Sequence, residues 1–79
     1  MAELSEQAQN FKHGVYKHFK GGIYKTICIG RSSEARDQEF VVYQSLDRGH
    51  TWIRPLPMFL ENVDRDGYMG PRFTYIGET

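Results

Sequence analysis

The sequence is poor in the residues that staple small domains together. It has a single cysteine, Cys28, and so no second thiol with which to close an intramolecular disulfide or to build a structural zinc site of the usual kind. It also lacks long apolar runs. The opening Met1-Ala2-Glu3-Leu4-Ser5-Glu6 carries acids at Glu3 and Glu6 and no extended hydrophobic stretch, so neither a secretory leader nor a membrane span is expected, and the expected address is cytoplasmic. An excess of one charge is missing too. Ten Lys and Arg balance ten Asp and Glu for a formal net charge of +0, which leaves no overall field to coat a nucleic acid or funnel an acidic substrate.

What is present describes a small globular domain. At 39% hydrophobic and 14% aromatic, the chain is too apolar for a disordered tail. Its 79 residues fill one core and not two. A domain of this size buries only about 60% of the surface its unfolded chain exposes, so a monomer or a weak homodimer is expected, the latter adding burial.

Leu4, Ala8 and Phe11 fall at helical spacing, which predicts a tail or short helix within residues 1–13, over Ala2 to Asn10. From residue 14 to 79 the texture is that of a single β domain. Short runs rich in Ile, Val, Tyr, Phe, Thr and Trp are broken by Gly21-Gly22, by Arg31 to Gln38, by Asp47 to His50 and by Asp66-Gly67. Strands are predicted at Val15–Phe19, Ile23–Gly30, Glu39–Leu46, Thr51–Arg54 and Arg72–Ile76, with a tight turn or brief 3-10 element at Met58-Phe59-Leu60 after Pro55 and Pro57.

The first hairpin allows a choice of register. A two-residue Gly21-Gly22 turn mixes apolar and basic groups on both faces. A three-residue loop Lys20-Gly21-Gly22 pairs Phe19 with Ile23 and separates them. Val15, Phe19, Ile23, Ile27 and Ile29 then share a face expected to point inward, with Lys17 and Lys25 riding near its edge. Tyr16, His18, Tyr24, Thr26 and Cys28 share the other, expected to face solvent.

At Tyr16-Lys17-His18-Phe19-Lys20-Gly21, Ile23-Tyr24, Ser33-Glu34, Val41-Val42-Tyr43, Trp52-Ile53-Arg54-Pro55, Met58-Phe59 and Pro71-Arg72-Phe73, the chain resembles the bacterial family catalogued as domain of unknown function 1653 (DUF1653). The resemblance runs from about Gly14 to Ile76, with the blocks in order. It implies a mainly β fold, a small SH3-like barrel of about five strands, and no known activity. One position departs from the family pattern: Ser32 stands where that pattern has His, which puts in doubt any mechanism needing an imidazole there.

Tyr16, His18, Lys20 and Tyr24 are the first candidates for a ligand site, because ring faces beside cations suit flat or phosphate-bearing ligands. Arg54 and Arg72 are candidate anion forks, with Glu34 as either a neighbour in the site or their internal partner. Trp52, Phe59 and Phe73 are assigned to packing, and Tyr43 and Tyr75 are left open. The leading expectation is a binding module for a small ligand or a protein. The runners-up are a small enzyme using His18 and Glu34 as an acid and base pair, a nucleic-acid-binding barrel using Lys12, Lys17, Lys20, Lys25 and Arg31, and an oligomerisation module whose contact is the barrel edge or the Met58-Phe59 turn. No nucleophile elbow, phosphate-cradling glycine loop or His-Glu-x-x-His helix occurs, so no catalytic residue is assigned to Cys28, Ser32, Ser33, His13 or His50. No cofactor is expected. On a regular strand His13 and His18 would point to opposite faces, so no metal site is expected from them.

Overall fold

The computed structural model describes residues 4–35 and 37–78. A one-turn helix, α1 (Glu6–Gln9), opens the chain, and Ala2, where the predicted helix began, lies outside the described residues. Ser5 caps it by accepting the Ala8 N–H at 3.1 Å. The Ser5 N–H and hydroxyl also donate to the two Glu39 carboxylate oxygens at 2.7 and 2.6 Å, which ties the helix to the third strand and holds the Glu39 carboxyl below its ordinary value. This anchor carries Ala8 and Phe11 into the core.

The chain is mainly β. The strands are β1 (Val15–His18), β2 (Ile23–Arg31), β3 (Glu39–Ser45), β4 (Thr51–Pro55), β5 (Asn62–Arg65), β6 (Tyr68–Pro71) and β7 (Phe73–Gly77). The five predicted strands form one antiparallel sheet in the order β4-β3-β2-β1-β7. Two strands were not predicted: β5 and β6 make a separate hairpin. Asp66 and Gly67 turn it, both with positive φ (56° and 79°), as the two central residues of a tight hairpin turn require. Between β4 and β5, Pro55 caps α2 (Leu56–Leu60), a helical turn at the place where a turn or 3-10 element was expected, and Pro57 sits in its first turn. Its Leu56 and Phe59 are each 1% exposed and plug the core.

The first hairpin corrects the expected register. Lys17, not Phe19, pairs with Ile23, Tyr16 pairs with Tyr24, and the loop closes through the Gly21 N–H to the His18 carbonyl. The partner has slid by two residues, and a slip of two preserves which side chains share a face. Tyr16, His18, Tyr24 and Thr26 therefore do lie together, but on the inner face. Tyr16 is 6% exposed, whereas Ile27, expected inside, is 50% exposed. A bulge at Ile27, between the Thr26–Tyr43 and Cys28–Val42 pairs, takes Cys28 off that face and brings Ile29, as expected, to the inner side, where it pairs with Val41 and packs against the core.

The reason for the inversion lies in the other strands. Val41 and Tyr43 of β3, Phe73 of β7 and Phe59 of α2 form an aromatic core, into which Tyr16 fits edge-on to Phe59 at 5.2 Å and nearly parallel to Phe11 at 5.8 Å. Buried aromatic rings remove more apolar surface from water than isoleucine does. The Tyr16 hydroxyl donates to the Lys12 carbonyl, so burial leaves no polar group orphaned, and it raises the phenol above its ordinary pKa.

Candidate functional site

Alternation along β4 puts Trp52 and Arg54 on the inner face, where they pair across the ladder with Tyr43 and Val41. The strand is the free edge of the sheet, so the inner face is less covered here. Together with His18, Tyr24 and Phe73 they enclose an open pocket of about 200 Å³, walled by His18, Tyr24, Tyr43, Trp52, Arg54 and Phe73. Larger clefts of about 320, 370 and 400 Å³ lie elsewhere. Their walls carry at most a single aromatic ring, Phe40, and no cluster of rings around a cation, so size does not single them out.

The rings of the pocket hold one another. The Phe73 ring stacks on Phe59 at 4.1 Å and meets His18, Tyr24 and Tyr43 edge-on at 4.9, 5.8 and 5.5 Å. Tyr24 lies over Gly22, where a Cβ would sit 2.9 Å from its ring, so the glycine makes room for this wall. Trp52 is 49% exposed and forms the open rim, which corrects its assignment to packing, whereas Phe59 and Phe73 are buried as expected.

Two polar side chains face this setting. Arg54 donates from Nε to the Tyr43 hydroxyl at 3.3 Å, and its guanidinium carbon lies 5.8 Å from the centroid of Phe73. It has no carboxylate partner among the described residues. His18 accepts the Lys20 backbone N–H at Nδ1, 3.1 Å, which leaves the proton of the neutral ring on Nε2. Burial first, and then the charges of Arg54, Arg72, Lys20 and Arg65, hold the His18 imidazole below its ordinary pKa.

Three of the seven sequence-picked residues thus meet in the pocket: His18, Tyr24 and Arg54. Tyr16 is in the core beneath. Lys20 is exposed in the hairpin loop with its ammonium 5.8 Å from the Phe19 centroid. Arg72 pairs with Glu61 at 2.6 Å and not with Glu34. Its side chain is 14% exposed, and its Nε is buried without a partner among the described residues. Glu34 sits exposed in the loop between β2 and β3 and is absent from the pocket wall. In that loop the Ser32 hydroxyl accepts the Glu34 and Ala35 N–H groups at 3.3 and 3.1 Å, so Ser32 fastens the turn. Sequence reasoning missed Tyr43, Trp52 and Phe73 as walls. The separation of two between Trp52 and Arg54 was the signal available for one of them.

Among the described residues no three His, Cys, Asp or Glu side chains gather to hold a metal, and no helix is long and apolar enough to cross a membrane. No curated protein matches the chain. A crystal structure of a DUF1653 protein from Bordetella bronchiseptica is similar, with a TM-score of 0.79 and 35% sequence identity over 91% of this chain and 95% of that one. The sequence pattern of the family described as "Protein of unknown function (DUF1653)" matches residues 14–75, and on both grounds this chain belongs to the DUF1653 family.

Proposed function

We propose that this protein is a non-catalytic binding module whose working surface is the inner-face pocket and not the outer face of its first hairpin. The observation that carries this reading is Arg54, a half-buried cation held among rings with no carboxylate among the described residues to neutralise it. Paired arginines such as Arg72 stabilise a fold, whereas one left open at a pocket costs desolvation and is offset when a ligand arrives. An acid and base pair of His18 with Glu34 has no support from the wall, to which Glu34 does not contribute, and the charges acting on His18 are cations.

Trp52 is the chain's one tryptophan and forms the pocket rim, so indole emission, excited apart from the five tyrosines, reports on this site. A screen of small metabolites followed by fluorescence and thermal shift should return compounds that both change Trp52 emission and raise the melting temperature, since binding to the folded state stabilises it. Ligands that stabilise the protein with Trp52 emission unchanged, and that still bind after Arg54→Met, would place the working surface elsewhere.

A further inference from the structure

Aromatic walls alone suit two opposite occupants, a flat ring stacked on them or a cation over their faces. Charge decides between the two. The pocket already contains a cation, Arg54, and the charges acting on His18 are all positive, from Arg54, Arg72, Lys20 and Arg65. No carboxylate stands among the lining residues, and Glu61 is engaged by Arg72 at 2.6 Å. A ligand ammonium would add like charge to this cluster; an anion would relieve it.

The hydrogen-bond inventory agrees. Arg54 has Nε engaged by Tyr43, and its two terminal nitrogens have no partner among the described residues. His18 has Nδ1 engaged by Lys20 and offers Nε2–H. The unengaged nitrogens are therefore donors, and the planar pair on a guanidinium matches two oxygens of a carboxylate or phosphate. A volume of about 200 Å³ equals roughly seven waters at about 30 Å³ each, which is room for one ring with one charged substituent.

We propose that the pocket takes a small ring-bearing oxyanion, a carboxylate or phosphate on a single flat ring, gripped by the terminal nitrogens of Arg54 and by His18 Nε2–H with the ring against Trp52. The proposal rests on the pocket being the working site. Isothermal titration of the full chain with benzoate, phenyl phosphate, benzamide and benzylammonium tests it. The stronger of the two anions should bind about tenfold or more tighter than benzamide, as a charge-assisted fork implies, and which anion wins tells a carboxylate source from a phosphate source. Arg54→Met should erase that margin, bringing the anions down to the affinity of benzamide. Arg54→Lys, which keeps the charge and loses the fork, should keep part of it, and it serves as the second variant should Arg54→Met fail to fold. Benzamide binding as tightly as both anions would overturn the oxyanion assignment and leave the pocket reading standing, and benzylammonium binding tightest would do the same. If none of the four perturbs the protein, the oxyanion assignment falls, and the metabolite screen read through Trp52 decides the pocket reading.

Discussion

Arg54 and Tyr43 are joined by a bond from Nε to the phenol oxygen at 3.3 Å, and this bond divides the guanidinium into a fixed part and an open part. Tyr43 is 5% exposed and held edge-on by Tyr24, Phe59 and Phe73, so it is a rigid post for a long side chain. Arg72 is the contrast, with its Nη2 closed on Glu61 at 2.6 Å.

The two arginines should therefore respond differently to the same change. Arg54→Met is expected to alter stability by under about 1 kcal/mol, because it removes one long hydrogen bond to Tyr43 and no ion pair among the described residues. Arg72→Met is expected to cost about 1–3 kcal/mol, because it strands Glu61 and removes a largely buried side chain. Urea denaturation of both variants checks this, and an equal loss would mean that Arg54 is structural.

The inverted hairpin face predicts an inverted mutational pattern. Tyr16→Ala should destabilise by about 3 kcal/mol or more, as loss of a buried ring from a core does. Ile27→Ala, at an exposed bulge, should fall within about 0.5 kcal/mol of the wild type. Thermal unfolding distinguishes this from the reverse order, which an inward aliphatic face would give.

Gly22→Ala introduces a methyl 2.9 Å from the Tyr24 ring, and the ring has to move. Tyr24 is a wall of the pocket, so the expected signature is a loss of ligand affinity out of proportion to the loss of stability. Melting temperature and fluorescence titration on the same sample would show both. Wild-type affinity in this variant would remove Tyr24 from the site.

His18 should make the protein acid-sensitive below the range of an ordinary histidine. Its folded pKa is lowered from 6.5 by burial and then by Arg54, Arg72, Lys20 and Arg65. The unfolded chain therefore binds more protons than the folded one between about pH 6.5 and the lower folded value. Stability is unaffected by this group above about pH 6.5 and falls as the pH drops through that window. Glu39 and Asp47, with carboxyls held below their ordinary 4.5 and 3.8, act in the same direction at lower pH, where protonation removes their bonds to Ser5 and Ser45. Denaturant midpoints taken across pH 7.5 to about 5 should decline in the wild type and decline less in His18→Gln. A parallel decline in both would assign the effect to other groups.

The strands of the large sheet were legible because glycine and charged clusters punctuate runs of β-branched and aromatic residues. The β5–β6 hairpin was not, since Asn62-Val63-Asp64-Arg65 offers one apolar residue and no alternation, although Asp66-Gly67 already carried the turn. Parity explains the first hairpin: which residues share a face follows from counting by two. Which face turns inward depends on Phe59, Phe73 and Tyr43, rings delivered by distant parts of the chain. The same distance hid the site, for Tyr43, Trp52 and Phe73 look like ordinary packing residues until β4 and β7 bring them beside His18. Glu34 lies away from the pocket wall because it belongs to the β2–β3 loop, whose placement no local pattern fixes.

Most directly, the central claim is tested by the indole N–H resonance of Trp52 in a nitrogen–proton correlation spectrum during titration with benzoate. That signal should shift saturably, with the Arg54 Nε signal moving on the same binding curve, and the shift should be lost in Arg54→Met. Benzoate binding confirmed by calorimetry with both signals stationary would contradict it.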